Sequence, residues 1–215
     1  MTKLHRLKWR DRVGIAGVSW ICRRKSSLSS TLRIHEICTH SRVNGPGVRA
    51  VVWVQGCSIG CKGCFNPETH PDRQGGTLRD PQNLGTELGH LKIDGITVSG
   101  GEPLDQAEQL VDMVEAFRKI HTGTALLYSG YTVESILKSN AKRKALLQFD
   151  AALVGPYLHQ SDEIWHGKKL LLLTGRISSD ELKPQRRVEL VTNTESIHVT
   201  GFPTERMKNK IQILL

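Results

Sequence analysis

Cys57, Cys61 and Cys64 fall within eight residues, in the run Gln55-Gly56-Cys57-Ser58-Ile59-Gly60-Cys61-Lys62-Gly63-Cys64-Phe65-Asn66-Pro67. A [4Fe-4S] cluster is usually held by one thiolate per iron. Three close ligands therefore leave one iron without a protein partner, and an open coordination position makes a metal site catalytic rather than structural. Gaps of three and two residues between the cysteines let one loop wrap a cluster. Gly56, Gly60 and Gly63 supply backbone freedom where the chain runs close to the metal. A zinc site completed by His70 or Cys38 is the competing reading, although zinc loops usually supply their ligands as two separated pairs. The chain has five cysteines, with Cys22 and Cys38 outside the loop. An odd number with that distribution suits a reduced intracellular protein better than a disulfide framework.

The loop is preceded by Asn44-Gly45-Pro46-Gly47-Val48-Arg49 and followed by Ser99-Gly100-Gly101-Glu102-Pro103. In this combination the chain resembles the radical S-adenosylmethionine (SAM) enzymes. Within them it looks most like the activating protein of the anaerobic ribonucleotide reductase and related small single-cluster 4Fe-4S proteins. Many members place an aromatic residue just before the third cysteine, whereas here Gly63 stands there and Phe65 follows, as in the reductase-activase branch. The resemblance runs from about Leu32 to about Thr204. It takes in Tyr128-Ser129-Gly130-Tyr131, the run from Phe149 to Tyr157, and Val199-Thr200-Gly201-Phe202-Pro203.

The resemblance implies one [4Fe-4S] cluster per chain on Cys57, Cys61 and Cys64. It implies that Gly100, Gly101, Glu102 and Pro103 hold the SAM amino group, with Ser129 as a further contact. The open iron would bind the amino nitrogen and carboxylate of SAM. One electron would break the sulfonium bond to give methionine and a 5′-deoxyadenosyl radical. That radical would take a hydrogen from a backbone glycine of a partner glycyl-radical enzyme. A donor such as flavodoxin or ferredoxin would supply the electron. Two departures bear on this expectation. Val154 stands where the best-known activases commonly carry Asp, and Lys168-Lys169-Leu170-Leu171 replaces a stretch usually rich in Ser, Asn and Gln.

The elements that must position these residues are legible from Arg49 onward. Residues 50–55 form an apolar, β-branched run leading straight into the cysteines and are expected as the first strand. Residues 95–99 repeat the pattern before the Gly-Gly-Glu-Pro turn. Pro103 then marks a helix start, with Asp105 and Glu108 at its positive end and Ala107, Leu110, Val111, Val114, Phe117 and Ile120 along one face. Residues 124–128 read as a strand, 133–147 as helix with a break near Asn140, and 151–154 as another strand. Such alternation implies a parallel sheet with right-handed crossovers. A complete eight-fold barrel needs about 250 residues, so the expected fold is an α/β incomplete parallel barrel. Ligands then bind beyond the C-terminal ends of the strands, where all the candidate loops fall.

The composition is that of an ordinary globular protein, with 215 residues, 38% apolar and 24% charged. Its net charge of +9 is confined to one end. Residues 1–33 hold nine Lys/Arg against Asp11, leaving the rest at about +1, so nucleic acid is not an expected partner of the body. Residues 1–31 are expected to be a basic, disordered extension or a transit-type leader, and 32–215 a radical SAM domain. The apolar patch at 13–22 is too short to span a bilayer. A cytoplasmic protein without a membrane partner is expected. His70, His159 and His166 are isolated and read as surface or packing residues. Two other functions remain open. One is a radical SAM enzyme acting on a small molecule or peptide. The other is a zinc- or cluster-stabilised binding module with a basic nucleic-acid-binding arm, which has no need of the Gly-Gly-Glu-Pro turn.

Overall fold

A computed structural model describes residues 31–71, 75–158, 165–183, 188–192, 197–204, 207 and 210. The extension expected before Thr31, with Cys22, and His159 lie outside the described residues. Four parallel strands form the centre of the sheet: β2 (Arg49–Val54), β4 (Gly95–Gly100), β5 (Thr124–Ser129) and β6 (Ala151–Val154). Their near-continuous apolar runs follow from burial on both faces. β1 (Leu32–Ser41) pairs antiparallel with β2, β3 (Thr77–Arg79) pairs with β1, and β7 (Lys169–Leu172) pairs antiparallel with β6. The sheet is thus mixed, in the order β3-β1-β2-β4-β5-β6-β7. β8 (Val188–Thr192) and β9 (Ile197–Gly201) form a separate antiparallel pair. Among the described residues the seven strands do not close into a barrel.

Helices occupy the crossovers. α1 (Pro81–Gly89) lies between β3 and β4, α2 (Ala107–Ile120) between β4 and β5, and α3 (Val133–Leu137) and α4 (Asn140–Leu146) between β5 and β6. Asp80, Thr132 and Ser139 cap α1, α3 and α4 by accepting backbone N–H bonds from Asn83, Ser135 and Lys142. The Ser139 cap explains the break expected near Asn140, since it starts a new helix there. α2 buries Leu110, Val111, Met113, Val114 and Phe117 against Val52, Val54, Ile96, Val98, Leu127 and Val154 in the main core. The other sheet face buries Leu126 and Ala151 with Ile177 and Leu182.

Three expectations need correction. Residues 50–55 are not the first strand, because β1 precedes them, and Gln55 falls outside β2. β1 escapes a periodicity reading because Arg33, His35, Glu36, Thr39 and His40 dilute its apolar alternation, and only Leu32, Ile34 and Ser41 are buried. The helix does not start at Pro103. A 3-10 turn, Pro103–Gln106, comes first, drawn tight by the Glu102 carboxylate accepting from Leu104 N at 2.9 Å. Ile120, placed on the buried face, is 43% exposed at the helix end.

Arg49 ties the strands together at the end opposite the cysteines. Its buried guanidinium donates to Thr97 Oγ1 at 2.7 Å, to Ile96 O, and to Thr124 O and Oγ1, both at 3.0 Å. Burial lowers its pKa to about 10. The Asn44-to-Arg49 motif is therefore a structural clasp: Asn44 O accepts from Thr97 Oγ1, and Asn44 Nδ2 donates to Ser41 Oγ and Thr200 Oγ1.

Candidate functional site

The cysteine loop leaves the C-terminal end of β2 and returns beside its own start. Gly56 N donates to Thr69 O at 2.8 Å and Cys57 N to His70 O at 3.3 Å, pinning the base of the loop. Buried Gln55 reinforces the base by donating to Pro71 O and Glu68 O. Gly56, Gly60 and Gly63 have φ of +102°, +59° and +65°, the left-handed region that favours glycine. Further out, Ser58 N and Oγ both donate to the Asp105 carboxylate, at 2.8 and 3.0 Å, and Tyr131 O–H donates to the same group at 2.7 Å. The Lys142 ammonium sits 3.2 Å from the Tyr131 ring centroid. Asp105, read from sequence only as a helix-start acid, thus fastens the cysteine loop to the turn after β4.

That turn is held against the loop by backbone. Gly101 N donates to Val54 O at 2.9 Å, and Glu102 N to Gly56 O at 2.8 Å. A Cβ on Gly101 would collide with Gly56 O and lie 3.0 Å from Thr69 O, so the close approach requires glycine. The Glu102 side chain is fully buried and accepts from Leu104 N, from Ser129 Oγ at 2.8 Å and from Gly130 N at 2.7 Å. Burial pushes its pKa up to about 7, against the downward pull of these bonds. Glu102 and Ser129 therefore join the ends of β4 and β5.

The loop, the turn and these strand ends surround one cavity, with about 940 Å³ of empty space counted to its open mouth. Cys57, Cys61 and Cys64 line it, as do Gly100, Gly101, Glu102 and Ser129, so seven of the eight sequence-derived site residues converge. Pro103 is buried and is not part of the lining. His70, expected as a surface or packing residue, also lines the cavity. Cys38 lies on β1, where its thiol donates to His40 O, and is not part of the lining. Phe65, Tyr128, Trp165 and Phe202 form an aromatic wall with neighbouring ring centroids 6.0–6.4 Å apart. Val154 is 1% exposed and packs into the main core, outside the cavity lining.

The lining fits a polar occupant, and three thiols are among the groups that would meet it. Among the described residues, the buried side-chain polar atoms without a partner are His70 Nε2 and Trp165 Nε1. Both residues line this cavity, and buried polar atoms require partners. Burial raises the Cys57 and Cys64 thiols above their ordinary pKa; a coordinated metal instead holds thiols as thiolates. Asn66 N donates to Cys64 Sγ at 3.5 Å, a bond of the kind that tunes cluster thiolates.

Residues 43–170 match the family described as the 4Fe-4S single cluster domain. The chain belongs to this family. It is 37% identical over 115 residues to a pyruvate formate-lyase-activating enzyme of Clostridium pasteurianum, covering 49% of this chain and 48% of the relative. It is 32% identical over 135 residues to the anaerobic ribonucleoside-triphosphate reductase-activating protein of Enterobacteria phage T4, covering 58% and 82%. The pyruvate formate-lyase 1-activating enzyme of Escherichia coli (strain K12) is 29% identical over 196 residues, covering 85% and 79%. The alignments to several of the pyruvate formate-lyase-activating relatives span a third to a half of those proteins. The radical SAM resemblance read from the cysteine loop and the Gly-Gly-Glu-Pro turn therefore holds for the family. No helix among the described residues is long and apolar enough to cross a membrane.

Sequence reasoning missed Asp105 as a tie and Trp165, Lys168 and Phe202 as lining. Phe202 follows β9, and its place in a motif of the resemblance, Val199 to Pro203, was the available signal. Lys168 was noted only as a departure.

Proposed function

We propose that the protein is a radical SAM activating enzyme. It binds one [4Fe-4S] cluster through Cys57, Cys61 and Cys64 and SAM beside it, and generates a glycyl radical on a partner such as an anaerobic ribonucleotide reductase. The observation that carries this reading is the convergence of the three-thiol loop and the Gly100-to-Glu102 turn on one cavity beyond the C-terminal ends of parallel strands. When bound, the cluster and SAM together supply a carbon-centred radical able to take a hydrogen atom from a peptide glycine.

The chain's own residues bind, orient and exclude water. Leu104, Ser129 and Gly130 fix the direction of the Glu102 carboxylate, which keeps one accepting position beyond their three bonds for an amino N–H of SAM. Gly100 and Gly101 bring the turn's backbone to the cavity wall. The aromatic wall covers the side formed by Phe65, Tyr128, Trp165 and Phe202. Tyr131 O–H donates to the Asp105 carboxylate, and burial raises the pKa of Tyr128. The open sheet is read as an incomplete β/α barrel, with antiparallel β7 ending it. A one-electron donor such as flavodoxin or ferredoxin, in the cytoplasm, completes the scheme.

Reconstituted, reduced protein is mixed anaerobically with SAM and a candidate glycyl-radical enzyme, and the partner is examined by electron paramagnetic resonance. A glycyl radical on the partner supports the activase reading. Stoichiometric 5′-deoxyadenosine with no radical on any candidate partner would favour a small-molecule or peptide substrate instead.

A further inference from the structure

The outer side of the cysteine loop leads to a surface that the chemistry above leaves without a role. Ser58, next in the chain to Cys57, shares a hydrogen bond with Tyr131 Oη at 2.9 Å. The Lys142 ammonium covers the Tyr131 ring and comes within 4.0 Å of the Asp105 carboxylate. Ser58, Asp105, Tyr131 and Lys142 are not part of the cavity lining. This tie therefore runs from the loop away from the cavity and onto α4.

α4 has two faces. Ala145 and Leu146 are buried and Ala141 and Lys142 half-buried, all toward the protein. Asn140, Arg143, Lys144 and Leu147 are exposed, and their spacing of i, i+3, i+4 and i+7 sets them in one stripe. Leu147 continues the helical geometry at the cap and is 71% exposed. Leu137, the last residue of α3, is 56% exposed, and exposed Lys138 follows it. From Ser135 to Phe149 the chain carries Lys138, Lys142, Arg143 and Lys144 and no Asp or Glu. An ordinary solvated face mixes both signs of charge and shows few large apolar side chains. Here a body of nearly balanced charge presents cations of one sign beside two open leucines.

The charge calls for a partner with an acidic surface. The location, behind the residue that follows Cys57 and outside the cavity, calls for a partner that serves the cluster rather than one that enters the cavity. Electron-transfer encounters are weak and bury less than about 1,200 Å², which a patch of this size can supply. We propose that the surface formed by Leu137, Lys138, Arg143, Lys144 and Leu147 is the docking face for a small acidic one-electron carrier protein. This rests on the proposed one-electron use of the cluster. The reduced carrier loses one electron and the oxidised cluster gains it, and no bond forms or breaks. Attraction to the patch raises the frequency of productive encounters at the loop.

Cluster-loaded wild type, the double variant Arg143→Glu/Lys144→Glu and a control, Lys92→Glu/Lys119→Glu, are mixed anaerobically with reduced acidic flavodoxin in a stopped-flow instrument. The control makes the same change of charge at the opposite end of the strands, before β4 and β5. Cluster reduction in the patch variant should be at least about tenfold slower at low salt, within the range that electrostatic steering supplies. The gap should close at ~1 M salt, where the screening length is about 3 Å, and the control should match wild type throughout. Leu147→Ser leaves the charge alone and should slow reduction severalfold at both salt concentrations; it serves if the double variant does not load a cluster. Dithionite, which needs no docking face, should bring every variant to the same final reduced signal. A patch variant as fast as wild type, an equal loss in the control, or a wild type reduced by dithionite and not by flavodoxin overturns the docking face. A fall in glycyl-radical yield on the partner enzyme when dithionite is the reductant assigns the surface to that enzyme and overturns the carrier. Absence of any cluster signal in dithionite-treated wild type overturns the underlying reading instead, and is distinguishable because it appears without any substitution.

Discussion

Replacing Glu102 by Ala removes one acceptor that serves three donors, Leu104 N, Ser129 Oγ and Gly130 N, at 2.7–2.9 Å. Leaving such donors unpaired costs about 1–3 kcal/mol each. The variant also escapes the burial that pushes the Glu102 pKa up to about 7, which offsets part of the loss. The net expectation is destabilisation by about 3 kcal/mol. The pH dependence is the sharper test. An unfolded glutamate titrates near ~4.3, so between that value and about 7 the native carboxyl holds a proton that the unfolded chain has lost. The stability contributed by Glu102 is full below the unfolded pKa and is lost as pH rises through the native one. At ~1.4 kcal/mol per pKa unit, the gap between wild type and Glu102→Ala should narrow by about 2 kcal/mol from about pH 5 to about pH 8. Urea unfolding of cluster-free protein under reducing conditions reads the gap at each pH. A gap that is constant, or that widens with pH, refutes the assignment of a desolvated, proton-holding carboxyl.

Two further expectations concern the site and its support. Gly101→Ala drives a methyl group into the backbone carbonyl of Gly56, which cannot rotate away, so iron and sulfide bound per chain after reconstitution should fall below about half the wild-type value with little change in circular dichroism; full loading would show that the loop can retreat. At the opposite end of the sheet, buried Asp150 accepts from Thr174 Oγ1 at 2.6 Å, Ala125 N at 2.8 Å and Arg118 at 2.9 Å. Burial pushes its carboxyl up, but these bonds prevail and hold its pKa below the ordinary value. Asp150→Asn should therefore cost about 2 kcal/mol at neutral pH, a figure reduced because Arg118 and Arg176 are partly exposed. The wild-type advantage, present above the unfolded aspartate pKa near ~3.9, should fade as pH drops through the lower native value. Thermal melts across that range test it, and cluster loading should not change.

Much of this was legible because the informative residues are local. The cysteine loop, its positive-φ glycines and the strands feeding the cavity each carry their signal within a few neighbours. The helix break at Ser139 was readable for the same reason, since a cap is a short-range device. β1 was not legible, because its pairing with β2 and β3 comes from segments distant in the chain while its own composition is dilute in apolar residues. Asp105 and Lys168 were legible only in part. Their roles depend on partners 47 residues away at Ser58 and 39 residues away at Ser129, and no spacing rule connects such pairs. The Asn44-to-Arg49 motif contributes to the resemblance only in combination with the others and serves the far end of the strands, so a family motif need not touch the chemistry.

The central claim is an open-iron cluster that meets SAM in the cavity shared by Cys57, Cys61, Cys64 and the Gly100-to-Glu102 turn. Electron paramagnetic resonance of anaerobically reconstituted, dithionite-reduced protein, with and without SAM and beside a Cys61→Ala control, tests it most directly. A reduced [4Fe-4S] signal is expected whose shape changes on adding SAM and which is lost in the control. A cluster signal indifferent to SAM, or zinc bound in place of iron, would contradict it.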